Sequence, residues 1–174
     1  PDRDRFGREP RFLGAEEMRD EIERQCALLR ELGHDLGVVS ESVKAHGALY
    51  HDASVDSDYA AALIEGAEAG LGRLGTVIGP PGTALEDIVT SRGYRFEREG
   101  FADRRYESGF KLVPRGRVDA LITDPGACAE QALWLAKMGR VETICMHGDT
   151  PSAAALVREV ARALSAAGLL AARW

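Results

Sequence analysis

Residues 43–50, Val-Lys-Ala-His-Gly-Ala-Leu-Tyr, decide the fold, because a short apolar run there ends in a His-Gly pair. A second apolar run, Ile-Cys-Met-His-Gly-Asp at residues 144–149, contains the same pair about a hundred residues later. In α/β barrels and doubly wound sheets, the chemically active groups lie at the C-terminal ends of the strands. We therefore predict that His46 and His147 converge on one pocket rim and form a shared site.

The composition is that of an ordinary globular chain. Its 174 residues, 45% hydrophobic and 29% charged, predict one domain over residues 1–174. The net charge of −6 and the lack of a basic run argue against a nucleic-acid partner. The apolar stretches are too short to span a membrane, and the polar opening does not resemble a signal sequence. Three cysteines without a CxxC pair are typical of reduced thiols, so we predict a cytoplasmic location.

Short apolar runs alternate with amphipathic segments along the whole chain, and this alternation predicts a parallel sheet or barrel. The predicted strands are residues 38–46, 76–79, 94–102, 120–123 and 142–146. The predicted helices cover 15–33, 58–70 with Asp56 and Ser57 as caps, a segment ending at Ser91, a segment begun by Asp124 and Pro125, and a last one with Thr150 as cap and Pro151 at its first position.

The two histidines can act as acids, bases or metal ligands near neutral pH. Lys44 lies two residues before His46 and so on the same strand face, where its ammonium could bind an anion or be a solvated edge lysine. Asp103 and Arg104 follow a predicted strand. Their carboxylate and guanidinium could orient a catalytic histidine, bind a substrate carboxylate, or form an ordinary surface pair.

Other polar features carry weaker signals. Tyr50 could hydrogen-bond into the site or only pack, and Asp149 could serve the electrostatics of the helix that follows it. The Gly-Pro-Pro-Gly-Thr loop at residues 79–83 could bind an anion at a helix start, but it lacks the Lys-Ser/Thr of a Walker motif and does not predict an ATP site. The sequence predicts neither a closed zinc site nor a nucleophile elbow.

Four ordered motifs resemble the signatures of one family, the LamB/YcsF family, which comprises the A subunits of bacterial 5-oxoprolinases, formerly called lactam utilisation proteins. They are Val-Lys-Ala-His-Gly-Ala-Leu-Tyr at 43–50, Glu-Gly-Phe-Ala-Asp-Arg-Arg-Tyr at 99–106, Leu-Val-Pro-Arg at 112–115 and Thr-Ile-Cys-Met-His-Gly-Asp-Thr-Pro at 143–151. The opening residues 1–8 also resemble the tail of a family motif that ends in Tyr-Pro-Asp.

The chain departs from the family pattern at several places. Ala45 stands where the family usually has proline, and the stretch between Gly139 and Glu142 is shorter than usual. Two upstream family segments, Asp-x-Asn-x-Asp-x-Gly-Glu and Cys-Gly-x-His-Ala-Gly-Asp, have no match. We therefore expect that this sequence omits an N-terminal segment and an internal loop, and with them the first strands of the domain.

The resemblance implies a (β/α) barrel of the glycoside hydrolase/deacetylase type, seven-stranded when complete. It also implies ATP-dependent hydrolysis of 5-oxo-L-proline to L-glutamate together with the B and C subunits of 5-oxoprolinase, with ATP and Mg²⁺ acting through the complex. It leaves open whether a metal is bound. Carried onto this sequence, it implies His46, His147 and Asp103 as catalytic residues and Lys44, Arg104, Tyr50 and Asp149 as substrate-binding residues.

Two other interpretations compete with this one. The first is a stand-alone metal-dependent amidase or deacetylase, which would act without ATP. The second is a non-catalytic subunit that scaffolds or gates a partner enzyme, in which case both histidines could be replaced without loss of turnover. A homo-oligomer is a further expectation, since a sheet that lacks strands exposes edges that favour association.

Overall fold

The structure is a computed structural model, and it describes residues 4–10, 13–107 and 110–171. The opening motif at residues 1–8 therefore lies partly outside the described residues. Contacts between Cα atoms divide the chain into two compact units, the first ending at Arg98 and the second beginning at Glu99. The two units are described separately below.

The first unit alternates helices with parallel strands. Its elements are α1 (Ala15–Asp35), β1 (Ser42–Lys44), α2 (Ala48–Val55), α3 (Ser57–Leu71), β2 (Thr76–Gly79), α4 (Ala84–Ser91) and the first part of β3 (Arg95–Phe101). β1 pairs in parallel with β2, so that Val43 lies opposite Val77, and β2 pairs in parallel with β3, so that Val77 lies opposite Phe96. The buried Val77 therefore lies on the central strand of this pairing.

The second unit has the same construction. It contains the end of β3, then α5 (Pro125–Lys137), β4 (Thr143–Cys145) and α6 (Ala153–Ala166). β3 and β4 run parallel, with Gly100 opposite Ile144. Gly100 fits here because an added Cβ would lie 3.0 Å from a methyl carbon of Leu135 on α5. The core of this unit consists of Ala102, Ile122, Cys128, Ala129, Ala132, Leu156, Val160 and Leu164.

The predicted α/β class with parallel strands is confirmed, and most of the predicted elements are present. Asp56 caps α3 by accepting hydrogen bonds from the backbone N–H groups of Asp58 and Tyr59, and Asp124 caps α5 by accepting one from Ala127. Both caps follow the usual chemistry of a carboxylate at a helix start. β1 is shorter than the predicted strand 38–46, and α2 was not predicted, because the segment after Gly47 carries little amphipathic pattern.

Two predicted features are wrong. Residues 120–123 do not form a parallel strand: Leu121 makes only an isolated antiparallel bridge with Arg104, because its neighbours pair with the irregular chain that follows β3. Thr150 does not cap the last helix, which begins at Ala153 after Ser152. The Thr150 hydroxyl instead hydrogen-bonds to a buried carboxylate described below. No helix within the described residues has both the length and the apolar character needed to cross a bilayer.

α3 packs closely against α1 at two glycines. A Cβ added at Gly66 would lie 2.5 Å from the backbone oxygen of Arg19, and one added at Gly70 would overlap the backbone oxygen of Glu23. Contacts this short cannot be relieved by a side-chain rotation, because the atoms they meet belong to the backbone. The four-residue spacing of the two glycines places both on one face of α3.

We expect Gly70→Ala to lower the free energy of unfolding by about 1–3 kcal/mol, because the two helices must move apart. An alanine in a helix interior would otherwise stabilise it by roughly 1 kcal/mol relative to glycine, so the sign of the change is the test. Urea unfolding of the full chain measures it. Gly116→Ala is the control, since no atom lies within 4 Å of its added Cβ. A stabilised Gly70→Ala protein would contradict the close packing.

Candidate active site around His147

The second unit brings an aspartate and a histidine together at the C-terminal ends of β3 and β4. The Asp103 side chain is fully buried, with 0% exposure, just after the end of β3. Its carboxylate accepts hydrogen bonds from the backbone N–H of His147 at 2.9 Å, from Nδ1 of the His147 ring at 2.9 Å and from the Thr150 hydroxyl at 2.6 Å. Two residues of one loop therefore supply all three of these donors.

These contacts fix the protonation of the pair. Burial raises the pKa of the Asp103 carboxyl, but the hydrogen bonds from His147 and Thr150 lower it by more, so the net pKa lies below its ordinary value of 3.8. An ionised carboxylate only accepts hydrogen bonds, so Nδ1 of His147 carries a proton. In the neutral imidazole, Nε2 is then the unprotonated nitrogen and can accept a proton or a metal ion.

The ring of His147 is also held from a second side. It stacks on the ring of Phe101, with the centroids 5.3 Å apart and the planes inclined by 11°. The His147 side chain remains 21% exposed while the carboxylate behind it is fully buried. An imidazole oriented by a buried carboxylate and still open to solvent can act as a general base and acid, or as a single metal ligand backed by a carboxylate.

The buried carboxylate predicts a stability that depends on acid pH. Because the pKa of Asp103 is lowered on folding, its contribution is present above pH 3.8 and is lost as the pH falls through its folded value. We expect the free energy of unfolding to fall between about pH 5 and pH 2, and Asp103→Asn to reduce that slope. Urea unfolding over this range measures the effect. The exposed Asp119→Asn is the matched control, and equal slopes in the two variants would contradict the assignment.

Arg104 points away from its predicted role in substrate binding. Its side chain is buried, with 3% exposure, and Nη2 donates a hydrogen bond to the carbonyl oxygen of Val113 at 2.7 Å. This contact ties the chain after β3 to the Leu-Val-Pro-Arg motif. Asp149 lies at the surface near Arg115, with 3.9 Å between Oδ2 and Nη1. The carboxylate that orients the imidazole is therefore Asp103, while Asp149 faces a guanidinium.

The first unit holds His46, Lys44 and Tyr50 around the start of α2. Nε2 of His46 lies 2.9 Å from the carbonyl oxygen of Phe6, and the two rings meet edge to face at 5.1 Å. Nζ of Lys44 lies 5.9 Å from the ring centroid of the buried Tyr50, a cation–π distance. Tyr50 therefore packs in the core and also faces the ammonium, which combines both of its predicted roles.

Gly47 is required where the chain turns from β1 into α2. Its φ is 65°, in the region that glycine adopts most readily, and an added Cβ would overlap the carbonyl oxygen of Gly7. The backbone N–H of Ala48 donates to the same oxygen at 2.8 Å. The glycine of this His-Gly pair thus lets residues 6 and 7 lie against the end of β1.

A cavity of about 630 Å³ lies in the first unit between α1 and β1. Its wall is mostly apolar, with Leu28, Leu29 and Leu32 from α1, and Lys44 and His46 lie on its lining. The prediction that His46 and His147 converge beside Lys44 and Asp103 joins residues of two different units. It stays a prediction, since each histidine is described within its own unit.

The glycine-proline loop before α4 does not present an open anion site. The backbone N–H of Gly82 donates to Oε2 of Glu86 at 2.7 Å, and the Thr83 hydroxyl accepts from the backbone N–H of Glu86 at 3.4 Å. Glu86 is paired in turn with Arg98 at 3.0 Å. The chain's own carboxylate therefore lies where the predicted anion would bind, and the expectation of an anion at this helix start is wrong.

Comparison with known proteins agrees with the motifs on which the site is built. The sequence model of the LamB/YcsF family matches residues 1–173. The chain belongs to the LamB/YcsF family. The resemblance predicted from four motifs is thereby confirmed, and residues 99–106 and 143–151, which carry Asp103 and His147, are two of those motifs.

Members of the LamB/YcsF family with assigned names are similar to this chain over most of its length. The A subunit of 5-oxoprolinase from Methylococcus capsulatus is 38% identical over 181 residues, covering 97% of this chain and 69% of the relative. The protein of the same name from Nocardia farcinica is 37% identical over 95% of this chain and 70% of its own. The crystal structure of a lactam utilization protein from Thermus thermophilus superposes with a TM-score of 0.81 at 30% identity, covering 93% of this chain and 69% of that one.

Sequence reasoning missed two polar residues of this family member's candidate site. Thr150 was assigned to a helix cap because Thr-Pro is a common helix start, yet its hydroxyl serves Asp103. Gln131 on α5 donates from Nε2 to the carbonyl oxygens of Phe101 and Arg104, at 2.6 Å each. The signal for Gln131 was an amide among the alanines, leucine and cysteine of a helix that packs on the core.

Within the described residues, no group of three or more histidine, cysteine, aspartate and glutamate side chains is arranged to hold a metal ion. Of the cysteines, Cys128 is fully buried, and burial raises the pKa of its thiol to about 11. Cys26 and Cys145 are partly exposed, and all three lie in the described part of the chain without forming a disulfide. The prediction of reduced cysteines agrees with this.

Proposed function

We propose that this protein acts as the A subunit of a 5-oxoprolinase and takes part in the hydrolysis of 5-oxo-L-proline to L-glutamate. The relatives that carry the name of this 5-oxoprolinase component support the reaction class. The observation that carries the proposal for a chemical role is the Asp103–His147–Thr150 arrangement, in which a buried carboxylate orients a partly exposed imidazole. B and C subunits are the proposed partners, since a lettered component implies an assembly.

The arrangement suits the chemistry of opening a lactam. A ring amide is stabilised by resonance, its carbonyl is a weak electrophile, and its nitrogen leaves only with a proton. Nε2 of His147 would take a proton from the attacking water as the new C–O bond forms. It would then return that proton to the ring nitrogen as the C–N bond breaks. Asp103 would stabilise the imidazolium formed between these steps.

ATP with Mg²⁺ would supply the activation of the lactam carbonyl oxygen, by phosphorylation or an equivalent transfer. The described residues of this chain with the best local geometry for a phosphate, the loop before α4, do not fit it, because Glu86 occupies the position. We therefore assign nucleotide binding to the assembled complex and derive no step through ATP from this chain.

The remaining predicted roles are retained as parts of the proposal. Lys44 is exposed, and its ammonium suits a substrate carboxylate better than the buried guanidinium of Arg104. His46 is retained as a second proton-handling group. The seven-stranded barrel, the cytoplasmic location and a homo-oligomeric state also stay predictions, and the structural likeness to the Thermus thermophilus protein supports the first of them.

The test is a coupled assay for glutamate formed from 5-oxoproline. The full chain is assayed alone, with the B and C subunits, and with or without ATP. We expect glutamate only in the complete mixture. Amide hydrolysis by the chain alone, without ATP and abolished by a chelator, would instead identify a metal-dependent amidase. Undiminished turnover by a complex that carries His147→Ala would identify a non-catalytic scaffold.

A further inference from the structure

The backbone that carries Asp103 is held by side chains of α5 rather than by a neighbouring strand. β3 ends at Phe101, and the next residues leave the sheet so that the Asp103 carboxylate can reach the loop after β4. Four successive carbonyl oxygens, those of residues 101–104, therefore need new hydrogen-bond partners. Buried carbonyl oxygens without partners are costly, so the source of these partners matters for the site.

Gln131 supplies most of them. Its Nε2 donates to the carbonyl oxygens of Phe101 and Arg104 at 2.6 Å each, and it lies 3.3 Å from that of Ala102. Cys128, one helical turn earlier, approaches the Ala102 oxygen through Sγ at 3.2 Å. The remaining carbonyl, that of Asp103, accepts from the backbone N–H of Ile122 at 3.0 Å. One amide thus holds the chain on both sides of Asp103.

We propose that Gln131 is a positioning residue for the His147–Asp103 pair. It touches neither of the two side chains, and it acts by fixing the peptide units before and after Asp103. The buried carboxylate then stays within hydrogen-bond distance of Nδ1 of His147. The catalytic consequence rests on the proposed function, whereas the consequence for the geometry of the pair does not.

The chemistry at this position requires a primary amide. Two N–H groups on one nitrogen can serve two carbonyl oxygens at once, which neither a thiol nor a hydroxyl can do. A methionine has a similar length and volume but donates nothing. A glutamate has the same shape, but its carboxylate would face the oxygens of residues 101 and 104 as an acceptor against acceptors. Both replacements therefore fill the space and remove the hydrogen bonds.

The first experiment compares Gln131→Met with Gln25→Met in the complex with the B and C subunits. Gln25 is the matched control, since it lies on the exposed side of α1 and its side chain bonds to Glu21 of the same helix. We expect Gln131→Met to lower kcat by about 10–100-fold with little change in KM, the usual size of an effect on groups that orient a reactive residue. Unchanged kcat in Gln131→Met would overturn the catalytic claim.

A second measurement separates this proposal from the proposed function. Imidazole ¹⁵N spectra of the full chain report whether the proton of neutral His147 resides on Nδ1. We expect the Nδ1–H form in the parent protein and in Gln25→Met, and a mixture of tautomers in Gln131→Met and Gln131→Glu. Loss of stability alone would lower Tm without moving the tautomers, and an unchanged His147 spectrum would overturn the positioning role. If the parent complex does not form glutamate, the proposed function fails while this spectrum still decides the role of Gln131.

A third readout uses the unmutated chain, in case the variants do not fold. The side-chain amide protons of Gln131 should exchange with deuterium at least 10-fold more slowly than those of the exposed Gln25, because both are held by buried carbonyl oxygens. Equal exchange rates would overturn the proposal.

Discussion

Asp103→Asn should reduce the rate of glutamate formation by the assembled complex by about 10³–10⁴-fold, the loss seen when a histidine's carboxylate partner in a catalytic triad becomes an amide. The Asp103 carboxylate accepts from Nδ1 of His147 at 2.9 Å and is otherwise surrounded by donors. An asparagine can turn its NH₂ group toward the ring, which favours the tautomer with its proton on Nε2. That tautomer has no lone pair at Nε2 with which to accept a proton from water, and no negative charge stabilises the imidazolium.

The measurement is kcat with saturating 5-oxoproline and ATP, on a complex whose assembly is verified by size-exclusion chromatography. Asp119→Asn is the control, because this exposed carboxylate pairs with the exposed Arg117 and lies outside the His147 site. We expect it to keep the parent rate. Asp103→Asn retaining more than about a tenth of the parent kcat in an intact complex would remove the carboxylate from the mechanism.

His147→Ala should lower kcat by about 10²–10⁴-fold, the usual contribution of a positioned general acid–base group. The substitution also removes the side-chain donor from a fully buried carboxylate, although the backbone N–H of residue 147 and the Thr150 hydroxyl still serve it. We therefore expect a folded protein that has lost turnover. Added imidazole should restore part of the rate, because the space left on the ring of Phe101 can admit the free base.

His34→Ala is the matched control, since this histidine lies exposed at the end of α1. Rescue by imidazole distinguishes a proton-transfer role from a purely structural one, because a collapsed site would not respond. A His147→Ala complex with the parent turnover number would support the scaffold interpretation and end the proposal that this chain supplies the general base.

Local signals in the sequence predicted much of the fold. Alternating apolar runs and helical segments identified the parallel α/β class, and the side chains of Asp56 and Asp124 marked two helix starts correctly. These features depend on neighbours within a few residues, which is the range over which caps and periodic patterns act. The predicted strand at 120–123 failed for the complementary reason, since its pairing is with the irregular chain after β3 rather than with a regular strand.

The candidate site divides along the same line. The order of residues was enough to single out His147 and Asp103, from their places after predicted strands, and to identify the LamB/YcsF family from its motifs. Which carboxylate meets the ring depends on the folded chain, since Asp103 and His147 are 44 positions apart and are joined by the register of β3 with β4. Folding also gives the Thr150 hydroxyl to Asp103 and places the Arg104 guanidinium against a backbone carbonyl. A hydrogen-bonding group takes whichever partner the packed chain brings within about 3 Å, and sequence spacing does not record that distance.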